Sequence, residues 1–435
     1  MKAPAYDVCV IGGLGHVGLP LGISLAAAGK RVAVYDINHK AIETVSQGVV
    51  PFVEHGAEAV LRKVLGKTLF VTGDRSAISR AHYVVVVIGT PVDEHLNPKF
   101  SIFRKFFDGI ADTLRDGQHV ILRSTVFPGT TEWTKGYFDR LGKRLMLSFC
   151  PERIAQGYAM DELHSLPQII SSFDSASRKD AARLFSCLTK DIVHLEPEEA
   201  ELAKLFTNVW RYIHFAIANQ FYQIASQRGL DFYRIHKAIT FNYPRARNFP
   251  KAGFAAGPCL FKDTMQLATY SNNSFFLGHA AMLINEGMPN LLVQMLKSRF
   301  GLKQKTVGVL GMAFKADNDD NRQSLSYKLK KILEIEAGEV LCSDVYIKDP
   351  TFVSAQELLR KCDIIVLATP HKEYRSLRLP PGKIMLDMWD FYGKGGLVQA
   401  KAAKAKAPKA AAGTLTQAIA RARASKPAGQ PQARA

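Results

Sequence analysis

Cysteine is scarce and never paired in the chain. The six in 435 residues (Cys9, Cys150, Cys187, Cys259, Cys342, Cys362) form no Cys-x-x-Cys, which argues against a structural zinc site and a disulfide framework. His-Glu-x-x-His is missing and no His/Asp cluster has ligand spacing, so no metal is expected. No uncharged apolar run reaches about 18 residues, so no membrane span is expected. Met1 to Val10 carries one lysine before a short apolar stretch. That stretch runs into glycines without a small-residue cleavage site, so it reads as a first strand rather than a signal peptide, and a cytoplasmic protein is expected. Acidic residues are in deficit: 57 Lys and Arg against 39 Asp and Glu give a net charge of +18. Eight of those charges lie in residues 400–435, which hold no Asp or Glu, leaving +10 on residues 1–399. A basic surface suits an anionic ligand without identifying it.

What is present is globular: 47% hydrophobic and 22% charged residues over a length suited to two or three domains. Tyr6 to Ile11 has the continuous apolar character of a buried parallel strand. Gly13-Leu14-Gly15-His16-Val17-Gly18 follows, then a helical spacing from Leu19 to Ala28, then a second strand, Arg31 to Tyr35, ending in Asp36. Glycines let the backbone approach a pyrophosphate, and the helix start offers it free N–H groups. A carboxylate at Asp36 suits ribose hydroxyls and repels a 2′-phosphate, favouring NAD over NADP. Gly13, Gly15, His16, Val17, Gly18 and Asp36 are therefore cofactor candidates. Further strands are expected over Tyr83–Ile88, ending in Gly89-Thr90-Pro91, and over His119–Arg123, ending in Ser124-Thr125. Ligands bind beyond the carboxyl ends of such strands, so Thr90 and Thr125 face the cofactor region, with plain strand-end capping the alternative. Ser148-Phe149-Cys150-Pro151-Glu152-Arg153 reads as another strand end carrying a carboxylate.

Glu198 to Gln227 lacks Gly and Pro and repeats apolar residues (Leu202, Leu205, Phe206, Val209, Ile213, Ala216, Ile217, Ile224) at helical spacing. It predicts one long amphipathic helix of about 45 Å, suited to a spine between two domains. Lys204 and Asn208 share a face, with Arg211 further along; an ordinary solvated face is the competing explanation. Gly257-Pro258-Cys259-Leu260-Phe261-Lys262-Asp263 then puts a thiol beside an ammonium and a carboxylate. A thiolate is the nucleophile, and a nearby cation or helix start would lower the pKa of Cys259; a buried structural cysteine is the bland alternative. A second strand–turn–helix series starts at Lys305–Gly311 and continues through Cys362–Ala368 and Lys383–Asp387.

These motifs, in this order, resemble the nucleotide-sugar 6-dehydrogenase family, which includes the UDP-glucose, GDP-mannose and UDP-N-acetyl-D-mannosamine dehydrogenases. The resemblance spans residue 6 to about 392 and adds Pro128-Gly129-Thr130-Thr131, Ala200-Glu201-Leu202-Ala203-Lys204 and Gly311-Met312-Ala313-Phe314-Lys315 with Asp319, Asp320 and Arg322. It implies an α/β protein of two doubly wound, Rossmann-like domains joined by the long helix. The expected divisions are an NAD-binding domain over 1–196, a helical dimerisation and catalytic domain over 197–300, a UDP-binding domain over 301–397 and a disordered Ala/Lys-rich tail over 398–435 able to contact acidic partners. It further implies two NAD-dependent oxidations of a sugar C6 alcohol at one site. Cys259 would hold the aldehyde as a thiohemiacetal and then as a thioester, which is hydrolysed to a uronate. Lys204 and Asn208 would stabilise the oxyanion, Asp263 and Glu152 would act as bases, and Thr125 would position water. Glu152, Lys204, Asn208, Arg245, Phe314 and Lys315 would bind the nucleotide sugar, and Arg322 would face cofactor or phosphate. A homodimer or larger homo-oligomer and a role in polysaccharide precursor synthesis are implied as well.

The chain departs from the family pattern in three places. The run before the cysteine, Gly253-Phe254-Ala255-Ala256-Gly257, has fewer glycines; Trp389 stands where the family has arginine, and an indole there could stack on a base; Gln156 stands where the UDP-glucose type has glutamate. Cys150-Pro151-Glu152-Arg153 resembles the UDP-N-acetylhexosamine branch. The alternatives are UDP-glucose or GDP-mannose as substrate, a two-electron NAD-dependent dehydrogenase in which Cys259 is incidental, and a non-catalytic dinucleotide-sensing or nucleic-acid-binding protein that uses the basic tail.

Overall fold

A computed structural model describes residues 5–93 and 99–399. The proposed tail lies outside these residues except for its first two positions. The first sheet has eight strands: β1 (Tyr6–Ile11), β2 (Val32–Tyr35), β3 (Leu69–Thr72), β4 (Ala81–Val86), β5 (His119–Leu122), β6 (Met146–Phe149), β7 (Gln168–Ser172) and β8 (Ile192–Leu195). Their order is β3-β2-β1-β4-β5-β6-β7-β8, parallel throughout except for the antiparallel β6–β7 pair. Chain direction across the sheet reverses between β1 and β4. A crevice opens at such a switch point beyond the carboxyl ends of the strands. Continuous apolar runs such as Val84-Val85-Val86 are buried on both faces, as a parallel sheet covered by helices requires.

The second sheet joins β9 (Thr306–Leu310), β10 (Glu339–Ser343), β11 (Ile364–Leu367), β12 (Ile384–Leu386) and β13 (Leu397–Gln399) in the order β10-β9-β11-β12-β13. Only the β12–β13 pair is antiparallel. Its switch point lies between β9 and β11. The strand β13, Leu397–Gln399, takes in the first two residues, 398 and 399, of the stretch expected to form the tail.

Between the sheets runs the central helix, Pro197–Gln227. Proline in the first turn costs no hydrogen bond there, and the Glu199 carboxylate accepts the Glu196 N–H at 2.9 Å. Gly229, at φ 66°, ends it in the left-handed conformation open to glycine. The helix packs on two neighbours, the cysteine helix Leu260–Tyr270 and the helix Phe276–Lys297. Asn219 donates to Asn285 at 2.9 Å, and Asn285 donates to the Tyr212 carbonyl at 3.0 Å, so buried amides fix the register of this packing.

The apolar stripe expected on the central helix is divided. Leu205, Val209 and Ala216 are buried, but Phe206, Ile217 and Ile224 face outward with Trp210 and Phe221. The inward face carries Glu201, Lys204, Asn208 and Asn219 instead. Those polar residues meet partners from other elements, which helical periodicity cannot register.

Candidate functional site

The glycine loop sits at the first switch point. A side chain on Gly13 would overlap Val34, and one on Gly18 would overlap the backbone of Gly12 and Gly13, so both are required by packing. Gly15 differs: a side chain there would meet only the Gly12 carbonyl, at an ordinary contact distance of 3.9 Å, so no internal packing demands the glycine. Its bare backbone leaves room for a close-approaching pyrophosphate. Val17 precedes the helix Gly18–Ala27 as its cap residue. Asp36 accepts the Leu14 N–H at 3.1 Å and the Asn38 N–H at 3.0 Å, which leaves further acceptor capacity on its carboxylate for ribose hydroxyls. This corner fits a dinucleotide.

The second half of the cleft is built around the start of the cysteine helix. Cys259 caps it and is exposed, the only exposed cysteine of the six. Asp263, one turn on, is fully buried. Its Oδ2 accepts Asn208 Nδ2–H at 2.5 Å, and Lys262 Nζ stands 3.2 Å from its Oδ1. Lys204, one turn before Asn208 on the central helix, is also buried. Burial pushes the pKa of Lys204 down, against the opposing pull of Asp263, Cys259 and Glu152. Lys204, Asn208, Cys259 and Asp263 thus come together from two helices, and the solvated-face alternative for Lys204 and Asn208 fails. Arg211 is exposed; its charge acts on Lys315 instead.

The thiol departs from expectation. Crowding by the cleft walls pushes the pKa of Cys259 up, and the Asp263 carboxylate adds to this; Lys262, Lys204 and Arg322 pull it down and are outweighed. The enclosed Cys150 thiol is likewise pushed up by burial, to about 12.

Glu152 and Thr125 lie just past strand ends of the first sheet, and the charge of Glu152 acts on Lys204. Glu152 Oε1 accepts the N–H groups of Arg153 at 2.7 Å and Ile154 at 3.0 Å, while Arg123 pairs with Oε2. Arg123 is buried, donates also to the Cys150 carbonyl at 3.2 Å and to Gln168 Oε1 at 3.0 Å, and was not singled out in the sequence. The Thr125 carbonyl accepts the Thr90 hydroxyl at 2.6 Å, and Lys262 reaches both oxygens of Thr90 at 3.2 Å. Lys262 therefore ties the cysteine helix to the first sheet.

From the second sheet, Phe314 lies against Gly257, where a side chain would overlap its ring. Lys315 donates to the Gln156 carbonyl, and burial lowers its pKa. Arg322 grips Asp320 with both Nε (2.9 Å to Oδ1) and Nη2 (2.6 Å to Oδ2). Asp320 stands 4.0 Å from His16 of the glycine loop, so Arg322 reaches both the cofactor corner and the field of Cys259. Arg245 is not brought to this group: it is exposed in a 3-10 turn and donates to the Tyr243 hydroxyl at 2.8 Å. Trp389 is not free to stack on a base. Its ring covers Gly253, and its Nε1–H donates to the Ala368 carbonyl at 3.1 Å. The two glycines kept before the cysteine are thus the two that lie beneath aromatic rings.

A second arrangement looks like a nucleophile, base and acid in series. Ser148 Oγ is 2.7 Å from His119 Nε2, and His119 Nδ1 is 2.9 Å from Asp180. All three are buried inside the first sheet, and Ser172 occupies Ser148 at 2.5 Å, so no substrate can reach it. Among the described residues no cluster of His, Cys, Asp or Glu is arranged to hold a metal, and no helix is long and apolar enough to cross a membrane.

Comparison with known proteins agrees with this geometry. Residues 6–189 match the NAD binding domain of the UDP-glucose/GDP-mannose dehydrogenase family, 198–286 its central domain and 308–394 its UDP binding domain. A UDP-N-acetyl-D-mannosamine dehydrogenase of Pyrococcus horikoshii is 31% identical over 379 residues, 84% of this chain and 90% of its own length. The solved UDP-D-ManNAc dehydrogenase of that organism superposes with a TM-score of 0.79 at 30% identity, covering 85% of this chain and 91% of its own. A UDP-glucose dehydrogenase structure from Pyrobaculum islandicum gives 0.80 at 25% identity, covering 88% and 94%.

Proposed function

The chain belongs to the UDP-glucose/GDP-mannose dehydrogenase family, and from that premise we propose that it oxidises the C6 alcohol of a UDP-N-acetylhexosamine, UDP-N-acetyl-D-mannosamine first among them, to the uronate through a covalent adduct on Cys259. It is an NAD-dependent nucleotide-sugar dehydrogenase. The observation that carries the proposal is an exposed thiol at a helix start, walled by buried Lys204, Asn208 and Asp263.

Bound NAD+ supplies the hydride acceptor. The alcohol proton must leave as the first hydride does, and Lys204, pressed toward its neutral amine by burial, is suited to take it directly or through water. Cys259 Sγ then bonds to the aldehyde carbon, which keeps the reactive carbonyl from escaping. Asn208 spends one N–H on Asp263 and has a second for the developing oxyanion, beside Lys204. Asp263, being fully buried, orients Asn208 and Lys262. Loss of a second hydride leaves a thioester; water adds, the C–S bond breaks, and carboxylate and thiol separate. One alcohol and one water become one uronate, with two NADH and three protons. Glu152, fixed by Arg123 and two backbone N–H groups, stands as a preset anion toward Lys204. Phe314 and Lys315 take the nucleotide end.

The N-acetylhexosamine choice rests on Cys150-Pro151-Glu152-Arg153, on Gln156 in place of a glutamate, and on the relative at 31% identity. A homodimer is proposed from the outward row Phe206, Trp210, Ile217, Phe221 and Ile224, which runs along one side of the central helix. The decisive measurement is NADH formed per sugar across a panel of UDP- and GDP-sugars. Two per sugar with a uronate product is expected, and Cys259→Ser should lower uronate formation about a thousandfold or more. One NADH per sugar, or a Cys259→Ser enzyme that still makes uronate, would refute the thioester route. UDP-glucose preferred over every N-acetylhexosamine would overturn the substrate assignment.

A further inference from the structure

The second sheet's switch point, between β9 and β11, is where a nucleotide would meet the carboxyl ends of its strands. It is filled by the protein itself. Asp344, after β10, holds the position that Asp36 holds after β2, but its carboxylate side chain is fully enclosed and saturated. Its Oδ2 accepts the N–H groups of Met312 at 2.6 Å and Ala313 at 3.0 Å, and its Oδ1 those of Tyr346 at 2.7 Å and Ile347 at 3.0 Å. No acceptor is left for a ribose. Beside it, after β11, lies His371, also fully buried. His371 Nδ1 faces the Asp317 N–H at 3.0 Å, and Nε2 faces Asp344 Oδ2 at 3.1 Å. An amide can only donate, so Nδ1 is the acceptor, and the ring proton sits on Nε2, pointed at Asp344.

These bonds close a ring around residues 311–317. Asp344 holds Met312 and Ala313, and the Thr369 hydroxyl donates to the Ala313 carbonyl at 2.6 Å. His371 holds the Asp317 end, and the Lys372 N–H donates to the Asp317 carboxylate at 2.9 Å. Asp317 sits at φ 54°, a left-handed conformation that a residue other than glycine keeps only when its surroundings fix it. Phe314 and Lys315 are the residues of this loop that face the cleft. Neither His371 nor Asp344 touches the cleft.

We propose that His371 is a positioning residue for the nucleotide diphosphate: through Asp317 and Asp344 it sets the loop that presents Lys315 and Phe314. The proposal rests on the assignment of Lys315 and Phe314 to the nucleotide end of the substrate. Precise placement of a charged group is worth up to a hundredfold when its support shifts by about 1 Å.

The two ring nitrogens can be tested separately. In His371→Asn the side-chain oxygen can still accept the Asp317 N–H; in His371→Gln the amide can still donate to Asp344 but leaves the Asp317 N–H without its acceptor. Binding of UDP and of NAD+ to the full chain is measured by calorimetry, with KM and kcat for the sugar nucleotide alongside. The expected result is UDP affinity and sugar-nucleotide KM weakened about tenfold in His371→Gln and much less in His371→Asn, with NAD+ affinity unchanged in both. In a Lys315→Met background, His371→Gln should weaken UDP binding much less than it does in wild type, because the ring acts largely through Lys315. Equal UDP affinity in wild type and His371→Gln overturns the proposal, as does a full additional loss in the Lys315→Met background. If His371→Gln does not fold, a His371→Asn protein that folds but binds UDP as weakly as Lys315→Met also overturns it. Wild type that binds no UDP would remove the underlying site assignment instead, a distinct outcome.

Discussion

Cys259 stands between opposed influences. Crowding and the Asp263 carboxylate favour the thiol, and three cations favour the thiolate. With the pKa above its ordinary value, the thiolate fraction at neutral pH is small and grows as pH rises. Alkylation of Cys259 by iodoacetamide, followed by mass spectrometry from about pH 6 to pH 10, should therefore rise along a limb centred above the ordinary thiol value. Lys262→Met removes a cation, disfavours the thiolate and should move that limb to higher pH. A limb below the ordinary thiol value in wild type would mean that the cations win. Bound substrate and cofactor add groups to the same cleft, so catalysis can begin from a thiol that is protonated at rest.

At the scale of elements, the central helix has two functions on two faces. Its inner face delivers Lys204 and Asn208 to Cys259 and clasps the loop before it: Asn219 donates to the Gly253 carbonyl and accepts the Gly253 N–H, both at 2.9 Å. Its outer row is apolar and exposed: Trp210, beside His214, is 62% exposed and Phe221, beside Phe249, 45%. Aromatic side chains at a two-fold interface each bury about 150–250 Å², and symmetry counts every substitution twice. Trp210→Glu with Phe221→Glu should therefore raise the dimer dissociation constant by at least about a hundredfold, giving monomers in light scattering. A wild type already monomeric under turnover conditions, or a double variant still dimeric, would remove this face as the interface.

Across the whole molecule, the two sheets meet through a few polar contacts between the glycine loop region and the loop after β9. The Val53 N–H donates to Asp319 at 3.1 Å, His16 lies 4.0 Å from Asp320, and Lys315 binds the Gln156 carbonyl. Glu54 anchors the same region, accepting the N–H groups of Gly157 at 2.9 Å and Ala159 at 2.7 Å. Arg322 is held toward the cofactor corner by Asp320. Asp320→Ala frees its guanidinium and removes the carboxylate beside His16, so KM for NAD+ should rise about threefold to tenfold in steady-state kinetics. An unchanged KM would show that Arg322 needs no such anchor.

The sequence by itself determined the dinucleotide corner, the strands β1, β2, β4 and β5, the long helix and the spacing of Lys204, Asn208, Cys259 and Asp263. These are local properties: a glycine turn, a continuous apolar run, a helical repeat. The short strands β3, β7, β8 and β10 were not legible, because β7 carries serines and β8 is largely exposed, so neither has the apolar run that marks a central strand. The partners that decide function were out of reach for the same reason. Arg123 meets Glu152 from another strand, His371 meets Asp317 across 54 residues, and Trp389 meets Gly253 across the domain boundary. The direction of the Cys259 shift likewise depends first on how far the cleft walls enclose a single sulfur, and then on how close one carboxylate and three cations come to it. Periodicity records which way a side chain points along its own element, and only the packing of elements decides what it meets there.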